Sequence, residues 1–165
     1  MNAPLAELAG TLAEELRLQT GLLELARKKR DALVAVDTAA VDAITRREQS
    51  LLAAAGSTAS SRLRLTVEAG RALALPPESG VTAIAARAEE PHASRLAGLA
   101  KELKDVLREL SRVTHSCRVL TEESLGFVKR FFRILGGADQ TQPGYSRRGA
   151  PPAPGPARLL IDEVV

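Results

Sequence analysis

Between residues 96 and 134 the chain places Leu96, Leu99, Leu103, Val106, Leu110, Val113, Cys117, Leu120, Ser124, Phe127, Phe131 and Ile134 at intervals that alternate between three and four. Eleven of these twelve positions are apolar, and only Ser124 departs. A strand repeats every two residues, so this row can lie on one face only if the segment is a single helix. It spans more than five heptads, the mark of a coiled-coil seam. A second row, Leu107, Thr114, Thr121, Val128 and Leu135, runs beside it and widens the stripe. At 1.5 Å per residue the helix is on the order of 60 Å long. A rod with one apolar face is not stable by itself in water. It packs on other helices of its chain, on a partner, or on both.

The rest of the chain supplies such helices. Asn2 and Pro4 read as a helix start, Asn as a cap and Pro in the first turn. Leu5, Leu8, Leu12, Leu16, Leu22, Leu23, Leu25, Ala26 and Leu33 follow at helical spacing to about Val36, with a break at Gln19, Thr20 and Gly21. Asp37-Thr38 reads as the next N-cap. Val41, Ile44, Leu51, Leu52 and Ala55 mark a face of a second helix running to about Leu75. Gly56 and the cluster Ser57 to Ser61 weaken it without a proline, and Pro76-Pro77 end it. A short helix fits Val81 to Ala88, and Pro91 suits the first turn of the last helix, which Gly136-Gly137 stops. From Ala138 to Val165 lie five of the nine prolines, so an extended, mobile tail is expected, with an apolar end at Leu159 to Val165. The expected fold is all-α: an elongated antiparallel bundle or coiled coil of three long helices and a short one over 1–137, then a flexible tail over 138–165.

Composition agrees and excludes alternatives. Aromatics are 2% of residues, and Ala, Leu, Glu, Lys and Arg dominate, which suits helix and not a β-sandwich. One cysteine, Cys117, cannot form an internal disulfide. Two histidines and that cysteine, far apart, do not make a zinc site, and no cofactor is expected. There is no Gly-rich phosphate cradle, and His92 and His115 have no positional logic for a catalytic triad. An enzyme is therefore not expected. Residues 1–16 carry Glu7, Glu14 and Glu15 and no basic residue, unlike a signal peptide, and no run is long and apolar enough for a membrane span. The cytoplasm is the expected location. The basic residues Arg27 to Arg30, and Lys129, Arg130 and Arg133, read as solvated faces, so nucleic acid is not an expected partner.

All three phenylalanines, Phe127, Phe131 and Phe132, fall within six residues at the end of the last helix. Two readings stand. They plug the end of a bundle, or they form an exposed patch that binds a polypeptide. Cys117 sits on the seam as a small buried hydrophobe. Tyr145, in the tail, has no core to serve, which favours recognition.

The order of parts resembles a known family. Two long helices joined near Asp37 and a proline break lead to a last helix ending Ser124-Leu125-Gly126-Phe127-Val128 and Phe131-Phe132-Arg133-Ile134-Leu135-Gly136. The tail then carries Tyr145-Ser146-Arg147-Arg148-Gly149. Together with Ala43-Ile44-Thr45-Arg46-Arg47-Glu48-Gln49-Ser50-Leu51-Leu52, this resembles the FlgN family of flagellar export chaperones, over roughly the whole chain to Gly149. A pair of asparagines common in that family's last helix is replaced by His115 and Arg118, and Leu159 to Val165 has no counterpart in the pattern. The resemblance implies a cytoplasmic type III export chaperone. Its partners would be hook-associated, that is hook–filament junction, proteins, whose C-terminal amphipathic helix it masks against aggregation, and the cytoplasmic domain of the export gate. The expected cargo contacts are Val113, Cys117, Leu120, Phe127, Val128, Phe131, Phe132 and Leu135. Tyr145 is the expected gate contact, by resemblance alone. The competing reading is a structural coiled-coil or adaptor protein that self-associates through the same seam as a homo-oligomer and carries no cargo.

Overall fold

The structure, a computed structural model, describes residues 2–136. Among them are four helices and no strand: α1 (Asn2–Val34), α2 (Thr38–Ala72), α3 (Val81–Arg87) and α4 (His92–Leu135). The all-α expectation holds. The helix ends shift slightly: α1 includes Asn2 instead of following it, and Pro91 stands just before α4. The expected tail over 138–165, with Tyr145 and Leu159 to Val165, lies outside the described residues, as does the expected boundary after residue 137. The chain divides into two units at Leu120, and α4 runs through the division.

Local chemistry explains where α1 and α2 begin and end. At the end of α1 the Asp37 N–H donates to the Ala32 carbonyl (2.9 Å) and the Val36 N–H to the Leu33 carbonyl (3.1 Å). This is the Schellman arrangement, and it places Val36 at φ 57°. Asp37 then turns round and caps α2, its carboxylate accepting from the Ala40 N–H at 2.9 Å. α2 ends the same way. The Leu75 N–H donates to the Gly70 carbonyl and the Ala74 N–H to Arg71, with Ala74 at φ 54°. Neither left-handed position is a glycine, so the glycine cue for a helix end is missing at both. The Ser/Thr-rich stretch of α2 stays helical because its hydroxyls donate to carbonyls one turn back, Thr58 to Ala54 and Ser60 to Gly56, each at 3.0 Å.

The unit of residues 1–120 is built on α1. α2 packs on it antiparallel. Lys29 meets Glu48 near the connecting turn, Leu18 and Leu22 meet Ala55 in the middle, and Glu15 meets Arg62 farther along. Gly21, which interrupts the α1 stripe in sequence, faces α2: a Cβ there would stand 3.3 Å from Leu51 Cδ1. The α4 residues of this unit run parallel to α1. Leu12 lies near Leu103, and Ala26 near Cys117. One end of the core joins Leu5, Leu8, Leu12, Leu65, Ala69, Ile84, Leu96 and Leu103. α3 belongs here because Ile84 is wholly buried, worth about 2–3 kcal/mol relative to exposure. Farther along, Leu23, Ala26, Val113 and Cys117 form a second cluster, with Leu33, Val106 and Leu110 against it.

Candidate functional site

The heptad row of α4 meets two different environments. Up to Leu120 it is core. Leu96, Leu103, Val113 and Cys117 are buried, and Leu99, Val106, Leu110 and Leu120 are half-buried. The second row does not widen the buried stripe: Leu107, Thr114, Thr121, Val128 and Leu135 are all exposed. A buried a/d seam with an exposed neighbouring row is the narrow coiled-coil pattern, not the broad face of a fully enclosed helix.

Of the eight residues expected to hold cargo, three thus lie in the unit of residues 1–120. Val113 is 2% exposed and packs with Leu23 and Ala26. Cys117 shares that cluster, and its Sγ lies 3.5 Å from the Ala26 carbonyl oxygen, a weak S–H donor contact. Burial pushes the Cys117 thiol above its ordinary value, with Lys29 opposing that shift. Beside it, a cavity of about 180 Å³ opens among Leu22, Ala26, Leu52, Leu110 and Cys117. The Lys29–Glu48 ion pair, 2.6 Å long, closes its polar side. The cavity is lined mostly by apolar side chains; burial holds the Cys117 thiol protonated, and Lys29 and Glu48 are spent on each other.

The other five cargo-contact candidates lie between Phe127 and Leu135 and are all exposed. Phe127, Phe131 and Phe132 are 63%, 50% and 66% accessible. Val128 and Leu135 are exposed as well, and so are Leu125 and Ile134, which the expected contact set omits. Phe127 and Phe131 stack with centroids 6.5 Å apart, and Phe132 meets Phe131 edge-on at 6.3 Å. The plug reading of the phenylalanines is thereby set aside, because a plug would bury them.

The placement of these residues around the helix is as informative as their exposure. At 3.6 residues per turn, Leu125, Phe127, Val128, Phe131, Phe132, Ile134 and Leu135 fill about half the circumference. Lys129, Arg130 and Arg133 occupy the other half, and no acidic residue lies between Ser124 and Leu135. The segment therefore pairs an open apolar face with a positively charged flank. Scoring only the seam row misses the width of that face; plotting every residue of this stretch on a helix recovers it.

Among the described residues no group of three or more His, Cys, Asp or Glu side chains could hold a metal ion, and no helix is long and apolar enough to cross a membrane. What the face can do is bind another apolar surface. Contiguous exposed hydrophobic patches of this kind mark interaction sites. Tyr145, the expected gate contact, lies outside the described residues.

No curated protein and no solved structure matches the chain. Residues 1–153 match the family model described as FlgN protein. With that match covering nearly the whole sequence, and an all-helical fold beneath it, the chain belongs to the FlgN family, a family of flagellar export chaperones.

Proposed function

We propose that this protein is a cytoplasmic chaperone of flagellar type III export. In this reading it receives the C-terminal amphipathic helix of hook–filament junction proteins, keeps it from aggregating, and delivers it to the cytoplasmic domain of the export gate. The carrying observation is the open apolar face of α4 formed by Phe127, Val128, Phe131, Phe132 and Leu135. An amphipathic cargo helix has the same unmet need, an apolar stripe without a partner, and the two satisfy each other in the helix-on-groove mode. An interface of roughly 1,000 Å² would be specific yet releasable. No nucleotide enters the scheme, because masking apolar surface is the whole task. Val113 and Cys117 are already committed to Leu23 and Ala26, and Leu120 is half-buried. Cargo contact therefore falls to the exposed residues, and Val113 and Cys117 support the helix that carries them. Tyr145 is assigned to the gate.

The test is capture of the chain by the C-terminal segment of a hook-associated protein. Phe127→Asp with Phe131→Asp should abolish capture while circular dichroism remains that of the parent, since neither ring is buried. Undiminished capture by the double variant removes this surface from the account. Tyr145→Ala should retain cargo and lose the gate domain. Sedimentation separates the self-association reading: a stable dimer or trimer that seals the phenylalanines leaves no face for cargo.

A further inference from the structure

The open face of α4 has a complement within the same chain. Residues 159–165 read Leu-Leu-Ile-Asp-Glu-Val-Val, five apolar residues around an acidic pair. The face between Leu125 and Leu135 is apolar with a flank of Lys129, Arg130 and Arg133 and no acidic residue. Polarity and sign match on both counts. The family match ends at residue 153, so Leu159 to Val165 lies beyond the part of the chain that family membership accounts for.

We infer that Leu159–Val165 docks on the apolar face of Leu125–Leu135, with Asp162 and Glu163 toward the basic flank, and is displaced when a partner helix arrives. The docking rests on the exposure and charge of that face; its meaning as a placeholder rests on the cargo reading proposed above. Length permits the contact. The apolar stretch is about 15 Å long. The linker of residues 137–158 has a contour length of roughly 70 Å, several times what is needed to return along the helix. Tethering also lets a weak contact count. A linker of this size sets an effective concentration on the order of millimolar, so a segment of similarly weak intrinsic affinity covers the face for about half the time. Such a cover keeps three phenylalanines from non-specific contact yet yields to a longer cargo helix with more apolar area.

The experiment uses the full chain and the variant Leu160→Asp with Ile161→Asp, alone and combined with Phe127→Asp and Phe131→Asp. Phe127 and Phe131 lie outside the core, and circular dichroism checks that each variant stays helical. Binding of an apolar fluorescent dye should rise about twofold in the tail variant and fall back when the phenylalanines are also replaced. A labelled synthetic peptide of residues 157–165 should bind the tail variant saturably, weaken as salt rises, and fail to bind the combined variant. A hook-associated C-terminal segment should bind the tail variant about twofold more tightly than the parent, because the competitor is gone. Equal dye binding in parent and tail variant, with no peptide binding up to about 1 mM, overturns the proposal. So does a parent that sediments as a dimer with its rings protected whether or not the tail is altered, since a second copy is then the occupant. Cargo that binds parent and tail variant equally sinks the docking and leaves the cargo reading standing. Cargo that binds neither sinks the cargo reading, while dye and peptide still decide the docking.

Discussion

Arg62 Nε donates to Glu15 Oε2 at 2.6 Å, tying the middle of α2 to α1. The Glu15 side chain is only 5% exposed, and Arg62 covers it from the solvent side. A carboxylate so placed depends on its partner, because burying it unpaired is far more costly than burying the pair. Arg62→Ala should therefore lower stability by about 2 kcal/mol in urea unfolding, less than for a fully enclosed pair because Arg62 remains partly solvated. Replacing both residues, Glu15→Leu with Arg62→Met, should recover most of that loss. A double variant as unstable as the single one would show that the pair does not act as a unit.

Val36 is a β-branched residue held at φ 57°, in the left-handed region that glycine adopts without strain. It is exposed, so its side chain contributes little packing. Val36→Gly should raise the unfolding free energy by about 1 kcal/mol, the relieved backbone strain exceeding the added freedom of the unfolded chain. Thermal melting checks this, and a lower melting temperature would contradict the assigned turn.

The cargo-contact candidates should divide in two when truncated. Val113→Ala removes buried methyl groups from the Leu23–Ala26–Cys117 cluster and should cost about 2 kcal/mol. Phe132→Ala removes an exposed ring and should change stability by less than about 0.5 kcal/mol while weakening cargo capture. Measuring both variants for unfolding and for capture separates support from contact. A destabilised Phe132→Ala would mean that the ring is packed.

Burial raises the Cys117 thiol above its ordinary value, which the unfolded chain restores. The folded state thus keeps its proton to higher pH than the unfolded state. The stability this contributes is full below about pH 9 and is lost as pH rises above it. Stability measured from pH 8 to 10.5 should fall more steeply for the parent than for Cys117→Ala. The native thiol should also react with iodoacetamide at pH 8 at least about tenfold more slowly than after denaturation. Equal rates would place the sulfur at the surface.

The candidate site was only half legible in the sequence. The α4 ridge announces itself through its spacing, and the clustering of Phe127, Phe131 and Phe132 points to their end of the helix. Periodicity records which residues share a face, not what covers it. Val113 and Phe127 hold the same place in the heptad, yet Val113 is enclosed by Leu23 and Ala26 while Phe127 meets Phe131 and solvent. The Glu15–Arg62 pair left no trace, because its partners are 47 residues apart and each looks like an ordinary surface charge. The cavity beside Cys117 was equally hidden, since its walls come from three helices.

The sequence by itself determined that this chain is helical, where its long helices break, and which stripe of α4 is apolar. Those are local properties, set by propensity, by the Asp37 cap and the Pro76-Pro77 stop, and by a period of 3.5 residues. Only the tertiary structure decided which part of the stripe is core and which part is open. Burial depends on contacts between residues far apart in the chain, and one helix's pattern carries no information about where its neighbours lie.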